Sequence, residues 1–264
     1  MQEKKLIMAT FLFHDLIYGP IHSRRLGNSL GINLLPTEKK YCNFNCIYCE
    51  CGANLPGKVG SLSKREDVKN ALTEKLKTLH KDGIQVDSIT FAGNGEPTIH
   101  PDFQGVIDDT VETRNLYFPN AKISVLSNAT RICNEKTVNA LKKVDNCILK
   151  LDSAIDETAK AIDRPVGEYS VENTVNLLKQ FNGKFVLQTM FLKGVVDGKT
   201  INNTTDNEVN AWLKIVEELR PETVMIYTID RDTPEKNLEK ATHEDLEKIR
   251  QKVEKLGIKI TVSE

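Results

Sequence analysis

The chain has almost no net charge: 36 Lys and Arg against 37 Asp and Glu leave a formal value of −1 over 264 residues. No overall basic field draws it to nucleic acid, which is not a favoured partner on this count. Long apolar runs are missing as well. The nearest imitation, "KKLIMATFLF" at 4–13, is broken by His14 and Asp15, with no small-residue cleavage site behind it. It reads as a buried strand or lead-in segment rather than a secretory signal, and nothing approaches the roughly 20 apolar residues of a membrane span. Cysteine is scarce, with six in the chain, yet four of them crowd between Cys42 and Cys51. Clustering of that kind in so long a chain argues against a secreted disulfide scaffold and for a reducing, cytoplasmic setting.

What is present is alternation. Short apolar runs at 32–36, 87–93, 122–128, 147–153, 184–192, 223–229 and 258–262 read as strands. Amphipathic segments at 65–83, 102–115, 134–143, 170–181, 207–220 and 243–257 read as helices. In the first helix Val68, Leu72, Leu76 and Leu79 recur at helical spacing, and Gly83 sits at its stop. Strand and helix in regular succession predict a parallel sheet of right-handed crossover units. The expected fold class is α/β, a partial (β/α)6 TIM-like barrel, with residues 1–31 as a lead-in packed on the barrel and 32–264 as the barrel itself. The polar stretch "VVDGKTINNTTD" at 195–206 reads as an exposed insertion.

In parallel α/β folds, ligands sit at the carboxyl ends of the strands. Those ends carry the cysteine loop, then "GNGEPT" (93–98), "SNAT" (127–130), "LDSA" (151–154), "QTM" (188–190) and "YTIDR" (227–231). The loop "CNFNCIYCE" spaces Cys42, Cys46 and Cys49 as C-x3-C-x2-C. Thiolates bind soft metals and iron–sulfur clusters. Three thiolates leave one iron of a [4Fe–4S] cube without a protein ligand, open to a substrate or cofactor. The alternative is a closed zinc site completed by Cys51, whose single-residue gap from Cys49 suits paired zinc ligands poorly. Cys133 and Cys147 read as small semi-buried hydrophobes.

With this spacing, after a strand and ahead of "GNGEPT", the chain resembles the radical SAM superfamily. The resemblance implies that Cys42, Cys46 and Cys49 hold a [4Fe–4S] cluster at the carboxyl rim and that S-adenosylmethionine is the second cofactor. It places Tyr48 near the adenine. Gly95 and Glu96 match the family's G-G-E triplet, which holds the methionine amino group, while Asn94 stands where the first glycine is usual. Ser127, Asn128, Asp152 and Ser153 match positions used for the methionine carboxylate and ribose hydroxyls; all four residue types also cap helices well. Gln188 and Met190 either face the adenine or fill the sheet. Arg231 either pairs a carboxylate of substrate or cofactor, or pairs with Asp230 or Asp232.

The segment "GPIHSRRLGNSLGINLLP" (19–36), with Arg24 and Arg25 beside glycines and serines, resembles an anion-binding or lid segment. Together with "LQTMFLKG" (187–194) it makes the chain similar to single-cluster relatives of the wyosine-tRNA synthases. The departures are the even charge and the lack of cysteine before Cys42 and after Cys147, so one cluster is expected. The resemblance implies reductive cleavage of S-adenosylmethionine to a 5′-deoxyadenosyl radical that abstracts hydrogen from a substrate the sequence does not name. The electron would come from an external flavodoxin- or ferredoxin-type reductant. Three rivals stand beside this reading: a glycyl-radical-enzyme activase, a tRNA-base-modifying enzyme, and a non-enzymatic zinc or electron-transfer module.

Overall fold

The computed structural model describes residues 11–23, 26–57 and 60–264. In chain order the elements are β1 (Ile17–Ser23), β2 (Gly27–Ile32), α1 (Arg65–Lys81), β3 (Ser88–Phe91), α2 (Phe103–Tyr117), β4 (Lys122–Ser127) and α3 (Glu135–Leu141). There follow β5 (Asn146–Lys150), α4 (Asp156–Asp163), α5 (Val171–Leu178), β6 (Val186–Met190), β7 (Leu192–Val196), β8 (Lys199–Asn202) and α6 (Asp206–Leu219). The chain ends with β9 (Thr223–Tyr227), β10 (Leu238–Lys240), α7 (His243–Lys255) and β11 (Lys259–Ser263). The main sheet runs β1-β2-β3-β4-β5-β6-β9-β11. Every neighbouring pair from β2 to β11 is parallel, and β1 is added antiparallel at the edge. The order follows the chain without reversal. That is the winding of an incomplete barrel; a doubly wound sheet would reverse direction partway. Among the described residues no helix is long and apolar enough to cross a membrane.

Period-two alternation assigns the two faces of the sheet. Ile89, Phe91, Ile123, Val125, Cys147, Leu149, Leu187, Val224 and Ile226 join one apolar core with Val68, Leu72, Leu76 and Leu79 of α1 and Trp212 of α6. The alternate residues face the barrel interior. At its lower end they are hydroxyls and amides that bond across strands: Ser29 to Thr90 (2.7 Å), Ser88 to Ser124 (2.9 Å) and Asn146 to Ser124 (2.9 Å). Further up come Lys150 at the end of β5, Asp152 just beyond it and Gln188 from β6. The polar interior thus leads upward to the carboxyl rim.

Three expectations change. The first parallel strand is β2 at 27–32, not 32–36, and β1 pairs with it antiparallel at the sheet edge, which places most of the segment 19–32 in an edge pair. Gly31 permits this: a Cβ there would lie 2.0 Å from the Tyr18 ring, which covers the strand. The stretch 195–206 is no loose insertion. It supplies most of the hairpin β7–β8, to which β10 adds a third strand, because Asp197 and Gly198 both take positive φ at the turn. A second helix, α4, precedes α5. The segment 4–10 and the pair Arg24 and Arg25 lie outside the described residues.

Candidate active site at the barrel mouth

The cysteine loop is shaped by its apolar residues. Phe44 and Ile47 are buried, while Cys42, Cys46 and Cys49 are half-buried free thiols. Each such buried side chain contributes about 1.5–3 kcal/mol. Phe44 packs edge-on against Tyr169 (5.4 Å between centroids), and Ile47 joins Ile162, Met190 and Leu192 in a second apolar cluster. The backbone of 43–47 runs along that of 162–166, through Asn45 N to Asp163 O (2.9 Å), Ile47 N to Ile162 O (2.9 Å) and Val166 N to Asn43 O (2.9 Å). Asn54 closes the loop from inside, donating to the carbonyls of Cys42 (3.0 Å) and Phe44 (3.2 Å). Phe44 and Ile47 thus anchor the loop in the core, while the thiols on either side of them stay partly accessible.

The loop is locked to "GNGE" by backbone pairing. Tyr41 N donates to Asn94 O (2.7 Å) and Glu96 N donates to Tyr41 O (3.2 Å). Asn94 explains its departure from glycine. Its buried amide accepts from Phe13 N (2.8 Å) and donates to Phe13 O (2.8 Å) and Pro36 O (2.9 Å), so it ties the N-terminal segment to the site. Glu96 is buried and receives four donors: Thr98 N (3.0 Å), Thr98 Oγ1 (2.5 Å), Ser127 Oγ (2.9 Å) and Asn128 N (2.7 Å). Burial pushes its pKa up, and these donors oppose the shift. The carboxylate fastens the end of β3 to the end of β4. Asn128 continues the chain of contacts, donating to Asn43 Oδ1 (2.7 Å) and lying 3.7 Å from Cys42 Sγ.

A second network surrounds Cys46. Lys150 Nζ lies 3.0 Å from Cys46 Sγ, 3.2 Å from Asp152 Oδ2 and in contact with Asp163 Oδ1. Burial works against the ammonium, but Asp152 and Asp163 outweigh it and hold the Lys150 pKa well above the ordinary lysine range. Burial pushes Asp163 up to about 7 despite the neighbouring ammonium. Tyr48 OH donates to Asp152 Oδ2 (2.5 Å), and Asp152 Oδ1 accepts from Met190 N (3.0 Å). Burial also raises the Cys42 thiol to about 11. Cys49 is brought down to about 5, chiefly by a hydrogen bond from Cys51 and, against burial, by Lys40. The Cys51 thiol also reaches Gly93 O (3.4 Å), and its one proton serves one acceptor at a time.

Of the residues singled out from the sequence, Cys42, Cys46, Cys49, Tyr48, Gly95, Glu96, Ser127, Asn128 and Asp152 are thus connected around the mouth. Ser153 is not: its hydroxyl donates to Glu208 Oε2 (2.6 Å) and accepts from Ile155 N (2.9 Å). Gln188 lies on the inner face against Met225 (3.7 Å), and Met190 sits in the second apolar cluster. None of Ser127, Asn128, Asp152 and Ser153 is a helix N-cap. That role belongs to Asp102, Asn134, Ser170, Thr205 and Thr242. Arg231 pairs with Glu50 (2.7 Å) rather than with Asp230 or Asp232, beside the Phe11 ring (5.9 Å).

Lys40, Lys150, Asp163 and Asn203 escaped notice in the sequence. A lysine inside an apolar parallel strand is anomalous enough to have marked Lys150. Asn203 had no such signal, yet it is buried and bridges Asp152 O (2.8 Å) and Met190 O (2.7 Å).

The donor set fits a [4Fe–4S] cluster. Three free thiols of one loop lie close enough to influence one another, and the fourth, Cys51, lies within reach of both Cys49 and the Gly93 carbonyl. Among the described residues no group of three or more His, Cys, Asp or Glu side chains is placed to hold a single ion. A mononuclear zinc site needs thiolates only about 3.8 Å apart, from its 2.3 Å bonds; a cubane spreads its ligands over separate corners.

A family model described as the Radical SAM superfamily matches residues 40–206. A protein named GTPase Obg from Brachyspira hyodysenteriae is 31% identical over 236 residues, 88% of this chain and 32% of its own length. A UPF0026 protein of Helicobacter pylori is 31% identical over 220 residues, 82% of this chain and 67% of its own. The chain therefore spans about a third of the first relative and two thirds of the second. Among solved structures, Streptococcus suis SuiB bound to S-adenosylmethionine superposes with a TM-score of 0.63 at 15% identity, over 89% of this chain and 50% of that one. A radical SAM methyltransferase from Sphaerobacter thermophilus gives 0.67 at 13% identity, over 89% of this chain and 65% of that one. Both share the partial-barrel fold. With its cysteine loop inside the matched span, the chain belongs to the Radical SAM superfamily.

Proposed function

We propose that Cys42, Cys46 and Cys49 hold a [4Fe–4S] cluster with one iron left for S-adenosylmethionine, and that the chain is a single-cluster relative of the wyosine-tRNA synthase subgroup. When bound and reduced by one electron, the cluster supplies the chemistry that cleaves S-adenosylmethionine to methionine and a 5′-deoxyadenosyl radical for hydrogen abstraction. The observation that carries this reading is the set of three half-buried free thiols, near enough to influence one another, on a loop locked to "GNGE" at the mouth of the barrel. Solved neighbours of the same fold include SuiB and anSMEcpe with bound S-adenosylmethionine, which supports the second cofactor.

The chain's own residues orient and shield. Tyr48 is held by Asp152 with its ring at the mouth, where it serves the adenine. Glu96 fixes the turn whose backbone meets the methionine end, and Ser127 and Asn128 stand beside it. Gln188 and Met225 line the inner wall below. The surrounding barrel keeps water from the reacting carbon, which is the protein's main service to a cofactor of this kind. The electron comes from an external flavodoxin- or ferredoxin-type donor in a reducing cytoplasm.

The test is anaerobic reconstitution followed by reduction in the presence of S-adenosylmethionine. Methionine and 5′-deoxyadenosine should appear together, and Cys42→Ser, Cys46→Ser and Cys49→Ser should each abolish both. Intact S-adenosylmethionine after reduction of an iron-loaded protein would overturn the proposal. Co-purification of a glycyl-radical partner would point to the activase class, and RNA binding with a steep salt dependence to tRNA modification.

A further inference from the structure

We propose that Lys150 is a positioning residue that sets the reduction potential of the cluster through its bond to Cys46, an inference that rests on the cluster assignment above. A lysine ammonium has three N–H donors. Three acceptors surround this one: Cys46 Sγ (3.0 Å), Asp152 Oδ2 (3.2 Å) and Asp163 Oδ1. Two of its donors are hydrogen-bonded, to Cys46 and Asp163, and Asp152 pairs with its charge, so Lys150 is anchored by the protein's own groups.

Its surroundings make the charge count. Lys150 is 8% exposed. Its Nζ lies 5.1 Å from the centre of the Phe44 ring and 5.0 Å from that of Tyr48, and both rings keep water away. It closes β5, a central strand of the sheet, in register with Gln188 of β6, and the bonds to Cys46 and Asp163 hold its ammonium. Cys42, by contrast, has neutral hydrogen-bond donors among the described residues, Phe44 N (3.4 Å) and Asn128 Nδ2 (3.7 Å), and the Lys40 charge acts on it without a hydrogen bond.

Reduction adds one negative charge to the cluster and its thiolates. A cation and an N–H···S bond stabilise that form more than the oxidised one, and more strongly where the local dielectric is low. Asp152 and Asp163 anchor the ammonium and temper its field. Removing Lys150 alone would leave two carboxylates facing Cys46, so both changes drive the potential down.

The experiment is a redox titration of reconstituted protein, following the electron paramagnetic resonance signal of the reduced cluster, with iron content measured in parallel. Lys150→Met is expected to lower the ratio of reduced to oxidised cluster about tenfold at the wild-type midpoint, a shift of about 59 mV for a one-electron couple. Lys150→Arg, which keeps charge and donors, is expected to stay within about twofold of the wild type. Should Lys150→Met not fold, Lys150→Met combined with Asp163→Asn removes one charge of each sign and still loses the bond to sulfur, so its midpoint is also expected below the wild type. A loaded variant lacking Lys150 with an unchanged midpoint would overturn the inference. So would folded variants that bind no iron, because Lys150 would then serve cluster assembly. A wild-type protein without any reduced-cluster signal would instead fail the functional reading itself and take this inference with it.

Discussion

Gly95 lies directly against the carbonyl of Tyr41: a Cβ at residue 95 would stand 1.9 Å from Tyr41 O and 3.1 Å from Cys42 N. The contact joins the turn after β3 to the residue preceding Cys42. It is made by backbone on both sides, so neither partner can swing away. Gly95 also takes φ +140°, a region open almost only to glycine.

Gly95→Ala should therefore destabilise the fold by about 3 kcal/mol, which for a chain of this size lowers Tm by about 6–12 °C. It should also displace Cys42 and reduce the iron bound on reconstitution. Thermal melting with iron analysis checks both; an unchanged melting point would mean that the two segments do not meet as described.

Asn94 is the chain's departure from the family triplet, and its side chain grips Phe13 and Pro36. Restoring the family residue with Asn94→Gly should free the N-terminal segment while the barrel stays folded. The loss of its buried hydrogen bonds should cost about 1–3 kcal/mol. Hydrogen exchange should quicken over 11–18 and remain slow in β3 to β6. Equal protection in both proteins would contradict the role assigned to Asn94.

A pH dependence follows from the joint between α1 and α2. Arg65 forks onto Asp109 (2.7 and 3.0 Å), and Lys69 adds a contact at 3.2 Å. The Arg65 bond, then Lys69, outweigh burial and hold the Asp109 carboxyl below its ordinary value near 3.8. Its folded pKa lies below its unfolded one, so its stabilisation is present above about pH 4 and is lost as pH falls through the depressed folded value. Asp109→Asn should cost about 1–2 kcal/mol at pH 7, at the low end because both cations are over 40% exposed. Denaturant melts of the two proteins should converge near pH 2. A difference that persists undiminished there would assign the effect to packing rather than charge.

The barrel was readable because its strands are short, apolar and separated by amphipathic helices, and the cysteine spacing marked the rim. Each addition to that pattern has a physical reason for its silence. The β7–β8 hairpin hides in a polar stretch because its turn and strand edges face solvent, and Val195 is 47% exposed. Asn203 looks like any loop asparagine until β5 and β6 close over it. The four rim residues read equally as cofactor contacts or as caps, because the same hydrogen-bonding atoms serve ligands, caps and turns; only the fold decides which backbone they meet. Glu96 and Asn94 were identified by position, but their partners at Asn128 and Phe13 are 32 and 81 residues away.

The central claim is that three cysteines hold the cluster and leave one iron corner open, while Cys51 stays outside the ligand set. The most direct measurement is the electron paramagnetic resonance spectrum of the reduced, reconstituted protein before and after S-adenosylmethionine is added, in the wild type and in Cys51→Ser. Both proteins should bind about four irons per chain, and in both the spectrum should change on addition. A spectrum indifferent to S-adenosylmethionine, or a Cys51→Ser protein stripped of iron, would contradict the account.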